Sequence, residues 1–339
     1  RCILQFMSDL VRITDVSPRD GLQNEPGVIP TSDKVKLVEL LCKTGVDEIE
    51  VTSFVSAKWV PQLGDAKEVV LGIASLLRQR RTGGVKDFIA LVPNQIGFDG
   101  LLEVESKAVL QFGGVDSWNP PVVGTIAFFT AASETFNRKN TNASIAESLT
   151  KFRDIIRSKE AMLLGCRAYV SCVIACPFEG PVAPTRVADV AASLIDLGVV
   201  DEIDLGDTIG AATPESTALM LEAVRSRIGN GWFERGAVTL HLHDTFGRAA
   251  ECVRAALDFG VRSFDGSVAG LGGCPYASKA LPDGTIQRAP GNIATELLVR
   301  TIHEAGYRTN VDLEALADAA AFARNIVAKS RTAGDRSGA

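Results

Sequence analysis

Eight short runs of apolar, largely β-branched residues recur along this chain, each separated from the next by a longer amphipathic segment. The predicted strands cover residues 11–16, 47–51, 88–92, 125–129, 168–173, 202–205, 238–243 and 263–268. Their spacing is that of a βαβ unit, which takes roughly 30 residues or more. Eight such units favour a closed (β/α)₈ TIM barrel over an open doubly wound sheet. No GxGxxG motif follows the first strand, which counts against a dinucleotide-binding sheet.

Helix signals follow the strands. The segments with the clearest apolar periodicity are 32–45, 185–198, 213–229 and 245–260. In the first of them Ser32 is the expected N-cap and Gly45 the expected stop. A further helix is predicted within residues 311–330, outside the barrel units.

The whole barrel is expected to be one domain. We assign residues 10–328 to a single catalytic domain that includes the C-terminal helices. Residues 1–9 are predicted to be a disordered N-terminal extension, and residues 329–339 a polar tail. A Gly/Pro-rich stretch at 113–124 interrupts the rhythm and is interpreted as an inserted loop between the third and fourth units.

Composition limits the kinds of partner that this chain is expected to bind. The net charge is -6 and no run of Lys or Arg forms a basic stripe, so nucleic acid is not an expected partner. No apolar stretch approaches the roughly 20 residues of a membrane-spanning helix, so no membrane partner is expected. Seven cysteines without a CxxC pair indicate reduced thiols. The absence of an Arg/Ser-rich transit segment favours the cytoplasm, with the mitochondrial matrix as the alternative.

Polar side chains gather where the predicted strands end, which is the functional face of a (β/α)₈ barrel. They are Arg19, Asp20, Gln23 and Asn24 after the first strand, Glu50 in the second, Arg167, Tyr169 and Ser171 in the fifth, Asp207 after the sixth, His241 and His243 in the seventh, and Cys274 after the eighth. A barrel needs far less charge than this for stability, so the end of the barrel that carries it is the predicted site.

His241 and His243 account for two of only three histidines in the chain. Alternate residues of a strand face the same way, so both imidazoles point to one side. Facing Asp20 across the barrel, they form a candidate divalent-metal site, and this donor set suits Mg²⁺, Mn²⁺ or Fe²⁺ better than structural Zn²⁺. The structural alternative is that both histidines are hydrogen-bonded within the protein or exposed to solvent, and bind no metal.

Structural explanations also exist for the other polar residues. Arg19 and Asp20 would ordinarily form a solvated pair of little energetic value. Glu50, costly inside an apolar strand if unpaired, could serve only as an ion-pair partner of Arg19. Asp207 could cap the following helix, and Cys274 could be an inert small hydrophobe.

Six motifs together resemble the 3-hydroxy-3-methylglutaryl-CoA lyase family over about residues 10–328. They are "SPRDGLQNE", "IEVTSFVSAKWVPQLGD", "YVSC…CPFEG", "LGDTIG", "HLHDTFG" and "SVAGLGGCPYA". The Arg–Asp pair and the HxH motif belong to the wider superfamily of metal-dependent barrel lyases and condensing enzymes. The glycine-rich cysteine loop belongs to the lyases themselves. An extra piece at 281–289 and the loop at 113–124 depart from the family pattern.

The resemblance implies roles residue by residue. The implied metal ligands are Asp20, His241, His243 and Asn292, the last in "PGNIATE". The implied catalytic residues are Arg19, Asp20, Glu50, His241 and Cys274. The implied substrate contacts are Arg19, Gln23, Tyr169 and Asp207.

The resemblance further implies an activity. It is a divalent-cation-dependent (Mg²⁺ or Mn²⁺) retro-Claisen cleavage of 3-hydroxy-3-methylglutaryl-CoA to acetyl-CoA and acetoacetate, by an enzyme that acts as a homodimer. The alternatives are a lyase for another 3-hydroxyacyl-CoA, and a condensing enzyme that joins acetyl-CoA to a 2-oxo acid. From other classes, the sequence also allows a metal-independent Cys–His thiol hydrolase or a non-catalytic binding barrel.

Overall fold

Eight parallel strands close into one barrel, as the sequence predicts. The computed structural model describes residues 9–112, 121–159, 164–273, 279–280, 286–287 and 290–337. The barrel strands are β1 (Arg12–Asp15), β2 (Glu48–Ser53), β3 (Asp87–Leu91), β4 (Thr125–Ala131), β5 (Gly165–Ser171), β6 (Glu202–Asp207), β7 (Val238–Leu242) and β8 (Ser263–Gly266). Each strand pairs with its neighbours in chain order, and β8 closes the ring against β1. The (β/α)₈ prediction is confirmed.

Helices surround the barrel and cover the outer face of the strands. They are α1 (Thr31–Leu41), α2 (Ala66–Arg78), α3 (Gln95–Phe112), α4 (Glu134–Thr141), α5 (Ile145–Lys159), α6 (Pro184–Ile195), α7 (Pro214–Ile228), α8 (Gly231–Glu234), α9 (Ala249–Phe259), α10 (Thr295–Glu304) and α11 (Leu313–Ser337). The apolar residues between strands and helices form one large buried core. This packing is what makes the strands apolar on their outer face.

The boundaries of α1 differ from the prediction. The helix begins at Thr31 after Pro30, and Ser32 is its second residue rather than its N-cap. It ends at Leu41, and Gly45 lies in the turn that follows, with a φ of +79°. A Cβ at Gly45 would lie 2.2 Å from the Asn310 carbonyl oxygen, so glycine is required there for close backbone packing rather than as a helix stop.

The C-terminal helix is longer than predicted. Helix α11 continues to Ser337, beyond the helix predicted within residues 311–330. The Ser330 hydroxyl donates to the Gly27 carbonyl at 2.6 Å, and Arg331 pairs with Glu25 through two hydrogen bonds of 2.9 and 2.7 Å. These bonds fasten the end of the helix to the loop after β1. Ser330 and Arg331, which fall in the predicted polar tail, thus contact the loop after β1.

Several predictions fall outside the described residues. They concern the N-terminal extension up to residue 8, most of the 113–124 loop, and most of the 281–289 insertion. Within the last, Ile286–Gln287 pairs antiparallel with Lys279–Ala280. In the described part of the chain, no helix has the length and apolar character needed to cross a membrane.

Candidate metal centre

A tight turn after β1 brings Arg19 and Asp20 to the carboxyl end of the barrel. Residues Ser17–Gly21 form one turn of π-helix, in which the Asp20 and Gly21 amides both donate to the Val16 carbonyl, at 2.8 and 3.1 Å. Asp15 anchors this turn by accepting from the Ser17 amide at 2.9 Å. Single turns of π-helix are frequent at functional sites.

The two histidines reach the same point from β7. His241 lies within the strand, and His243 follows it in an isolated antiparallel bridge to Asn292. The centroids of the two imidazole rings are 5.4 Å apart, which confirms that they face the same side. Asn292 is thereby brought beside His243 from a segment that follows β8.

The donor atoms of Asp20, His241 and His243 converge. One ligand atom from each lies within 4.8 Å of the others, and all three residues are buried. The Asn292 amide donates to Asp20 Oδ2 at 2.8 Å and so joins the same group. All four ligands that the resemblance implies therefore lie together.

Two buried polar atoms at this site lack hydrogen-bond partners in the described structure, and this also fits a cation site. His243 Nδ1 and Asn292 Oδ1 are buried and have no hydrogen-bond partner within the described structure. Such orphaned atoms are rare in proteins, because each costs free energy unless something pairs with it. An imidazole nitrogen and an amide oxygen beside a carboxylate form a donor set that suits a divalent cation.

Gly272 packs directly against this group. Its φ is +89°, and a Cβ there would lie 2.7 Å from Asn292 Nδ2 and 2.9 Å from the Asp20 carbonyl oxygen. Only glycine combines that backbone conformation with so close an approach. The glycine-rich loop therefore closes one side of the site by backbone contact.

A buried ion pair lies beside the candidate ligands. Glu50 Oε2 accepts from Arg19 Nε at 2.6 Å and from the Tyr169 hydroxyl at 3.2 Å. Arg19 also donates to Asp20 Oδ1 at 2.7 Å, so one guanidinium bridges the acid of β2 and the proposed ligand. Glu50 Oε1 has no partner in the described part of the chain. The ion-pair interpretation of Glu50 is thus realised, and one of its oxygens remains available.

Burial and neighbouring charges set the protonation of this group. Burial opposes ionisation of Asp20, but Arg19 and the two histidines outweigh it and lower the pKa of its carboxyl. Burial raises the pKa of Glu50, and Arg19 offsets only part of that effect. Burial also raises the pKa of Tyr169 well above its usual value, so its hydroxyl is a neutral donor.

The two histidines differ in basicity. Burial disfavours charge on His241, but Asp265 and Asp20 more than compensate and raise its pKa to about 9. Burial and the charge on His241 lower the pKa of His243 to about 4. In the cation-free protein at neutral pH, one ring is therefore charged and the other neutral.

Other predicted residues lie apart from the cluster or outside the described structure. Asp207 is buried at the end of β6, where it accepts from the amides of Ala211 and Ala212 at 3.0 and 2.8 Å. These amides belong to the loop before α7, whose N-cap is Thr213, so the helix-capping alternative for Asp207 is wrong. Its role in substrate binding remains a prediction. Gln23 is half-buried on the loop after β1. Cys274 lies outside the described residues.

Sequence reasoning missed the support beneath His241. Asp265 Oδ2 lies 3.0 Å from His241 Nδ1, and Asp265 is in turn bonded to Arg167, which also bonds Asp204 at 2.5 Å. Asp204 and Asp265 lie in predicted apolar strands, where an acid is costly unless paired. The same argument that singled out Glu50, applied to strands six and eight, would have identified Asp204 and Asp265 from the sequence.

The fold and these contacts define a class: a (β/α)₈ barrel with a candidate divalent-cation centre and a buried arginine at its carboxyl end. Comparison with known proteins gives the family. The family model described as HMGL-like matches residues 10–323, and the chain belongs to that family. The resemblance inferred from the motifs is confirmed.

Relatives cover nearly the whole chain. The mitochondrial hydroxymethylglutaryl-CoA lyase of Gallus gallus is 42% identical over 94% of this chain and 93% of its own. The HMG-CoA lyase structure from Brucella melitensis is 40% identical, with a TM-score of 0.79 and coverage of 94% of this chain and 99% of that one. An HMG-CoA lyase structure from Acinetobacter baumannii, in complex with coenzyme A and 3-methylmalate, is 31% identical, with a TM-score of 0.77 and coverage of 95% and 92%.

Proposed function

We propose that this protein cleaves 3-hydroxy-3-methylglutaryl-CoA to acetyl-CoA and acetoacetate with a bound divalent cation, Mg²⁺ or Mn²⁺. The observation that carries the proposal is the convergence of Asp20, His241 and His243 beside the buried Arg19. Membership of the HMGL-like family and relatives named as lyases for this substrate support the same reaction. The reaction breaks the bond between the carbinol carbon and the thioester α-carbon.

The four implied ligands would hold the cation. When bound, it supplies Lewis acidity that favours loss of the tertiary hydroxyl proton and fixes the orientation of the substrate. Asp20 has a lowered pKa and is therefore a weak base. Its carboxylate is better suited to holding the ion than to accepting the hydroxyl proton.

Arg19 would stabilise the charge that develops on the leaving fragment. As the carbon–carbon bond breaks, its electron pair moves into a thioester enolate, and negative charge accumulates on the thioester oxygen. A guanidinium stays charged throughout and presents several donors in a fixed fork. Glu50 holds that fork by accepting from Nε at 2.6 Å, so Glu50 is a positioning residue for Arg19.

One proton enters and one leaves. The carbinol proton is lost as acetoacetate forms, and the enolate α-carbon gains a proton to give acetyl-CoA, so the atoms balance without water or a redox partner. We assign the delivery of that proton to Cys274 from its place in the glycine-rich loop, as the resemblance implies.

The first test measures acetoacetate after incubation with 3-hydroxy-3-methylglutaryl-CoA, with and without a chelator. We expect activity to disappear on exhaustive chelation and to return with Mg²⁺ or Mn²⁺, because three buried donors lose their common partner. Full acetoacetate formation after chelation would rule out the metal-dependent mechanism, whereas release of free CoA without acetoacetate would favour a thiol hydrolase.

A second assay separates the lyase from a condensing enzyme. The protein is incubated with acetyl-CoA and a series of 2-oxo acids, and released thiol is measured. We expect no CoA release. The His303→Gln variant is a matched control for both assays, because His303 is a surface residue that bonds Thr309 rather than the cluster.

A further inference from the structure

The two candidate histidine ligands are held in different ways. His241 Nδ1 lies 3.0 Å from Asp265 Oδ2, and the two residues are direct partners in the register of β7 and β8. His243 Nδ1 is equally buried but has no hydrogen-bond partner in the described structure. One imidazole therefore has a fixed carboxylate behind it, and the other does not.

Asp265 has only one oxygen to offer His241. Its Oδ1 accepts a hydrogen bond from Arg167 Nη2, and its side chain is fully buried. The same guanidinium also bonds Asp204 and the Thr14 hydroxyl, which fixes it on the barrel axis side of the strands. Asp265 Oδ2 is thus turned toward His241 by a bond on its opposite side.

This geometry determines which imidazole nitrogen carries hydrogen. The contact with the Arg167 cation favours the ionised form of Asp265, and an ionised carboxylate has no hydrogen to donate, so His241 Nδ1 is the donor. The lone pair of His241 then lies on Nε2, which faces Asp20 Oδ2 at 4.0 Å. That separation is too long for a hydrogen bond between the two atoms.

We propose that Asp265, held by Arg167, is a positioning residue that keeps the proton of His241 on Nδ1 and so presents Nε2 to the cation. The inference rests on the proposed metal-dependent function and adds a residue that none of the six motifs assigned. Carboxylates behind ligating histidines usually set the tautomer and the orientation of the ring.

The Asp265→Asn variant tests the tautomer directly. Asparagine must turn its carbonyl oxygen toward Arg167, because an amide NH₂ cannot accept from a guanidinium. Its NH₂ then faces His241 and donates to Nδ1, which moves the imidazole proton to Nε2. The expected result is a loss of 10- to 100-fold or more in affinity for Mn²⁺, measured by titration calorimetry on the metal-stripped protein.

The Asp265→Ala variant separates this effect from lost packing. Alanine removes the bond but imposes no tautomer, so its affinity for Mn²⁺ should fall less than that of Asp265→Asn. A purely structural role predicts the reverse order, because alanine leaves a cavity and the amide does not. The matched control is Asp87→Asn, which changes a carboxylate bonded to Thr125 at the other end of the barrel and should leave the affinity unchanged.

Nitrogen-15 spectra of the imidazoles give an independent measurement. The chain has three histidines, so the spectrum contains three spin systems, and His303→Gln identifies one of them. At pH 10 in the metal-free protein, one ring should be protonated on Nδ1 in the wild type. That ring should be protonated on Nε2 in Asp265→Asn.

The outcomes distinguish the two proposals. If the wild type binds Mn²⁺ and Asp265→Asn binds it equally well with the same tautomer, the positioning role is wrong and the metal-dependent function stands. If the wild type binds no Mn²⁺ and retains activity after chelation, the proposed function fails as well. A weaker Asp265→Asn with an unchanged tautomer would also overturn the positioning role.

Discussion

The two ends of the barrel interior are both lined with charged side chains, but among the described residues an unpaired imidazole nitrogen and an unpaired amide oxygen lie together at the carboxyl end. At the amino ends of the strands, Arg12 donates to Glu48 at 2.8 Å and to Glu202 at 2.6 Å. None of these three side chains has a buried atom without a partner in the described chain. At the carboxyl ends, His243 and Asn292 each keep one such atom.

This contrast separates a structural network from a binding site. A cavity of about 370 Å³ opens at the amino end, lined by Arg12, Glu48 and Glu202 among others. Open space and charge are therefore present at that end too. What marks the carboxyl end is that the converging ligand atoms of Asp20, His241 and His243 lie beside two buried atoms without partners in the described structure, whereas buried polar atoms are normally satisfied by the protein itself.

The sharpest test of the contrast is Arg19→Gln at the carboxyl end. We expect kcat to fall on the order of 1000-fold, because a preorganised charge that faces the developing enolate is lost. The fold should persist, since Glu50 is able to take up a proton when its partner is removed. Steady-state kinetics give the rate, and an unchanged affinity for Mn²⁺ would show that the cation site is intact. A loss of less than tenfold would remove Arg19 from the chemistry.

At the amino end, we expect Arg12→Met to lower the stability of the fold and to leave kcat nearly unchanged. It leaves Glu48 and Glu202 without their shared cation, and breaking such a partly buried pair costs roughly 3 kcal/mol of folding free energy. Because Arg12 is remote from the ligands, kcat should stay within about twofold of the wild type. Urea unfolding and kinetics on the same preparation measure both quantities. A large drop in kcat with little change in stability would contradict a structural role for the charged network at the amino end.

The third expectation concerns pH in the metal-free protein. The pKa of His241 is raised to about 9, so the folded state binds more protons than the unfolded state from about pH 6.5 to 9. Stability should fall as pH rises through that window, by roughly 3 kcal/mol. The pKa of His243 is lowered to about 4, so below pH 6.5 stability should instead fall as pH falls.

Denaturant titrations from pH 5 to 9.5 would check this profile. The His241→Gln variant should lose the alkaline decrease and keep the acidic one. Saturating Mn²⁺ should also remove the decrease in stability above pH 6.5, because the cation replaces the proton on His241. An alkaline decrease that survives in His241→Gln would place its cause elsewhere.

The sequence predicts the barrel well because the signals are local. Each strand is an apolar run, and α7 shows both of its expected ends: Thr213 caps it by accepting from Ser216, and Gly229 ends it. Asp244, which had no assigned role, accepts from the Ala249 amide at the start of α9. The differences at Gly45 and at the end of α11 have non-local causes. Close contact with Asn310 explains Gly45, and packing against Gly27 and Glu25 extends the last helix.

The candidate site was predictable only in part. His241 and His243 stand out because two residues of one strand share a face, and this holds without knowledge of the fold. Asp265 was missed as a single acid in strand eight, and Arg167 was predicted only as a polar residue of strand five, without a partner. Only the closed ring places them under His241, and tertiary pairing of this kind is not encoded in local periodicity.

The closure of β8 on β1 has a consequence for how this protein matures. Asp20 and Asn292 are 272 residues apart in sequence, yet they are hydrogen-bonded neighbours. A nascent chain or a partly folded barrel therefore cannot gather the full ligand set, and tight cation binding should appear only at the last step of folding. Bound at a hundred times its dissociation constant, the ion would stabilise the completed ring by about 2.7 kcal/mol. Cation uptake would then report on completed assembly during biosynthesis.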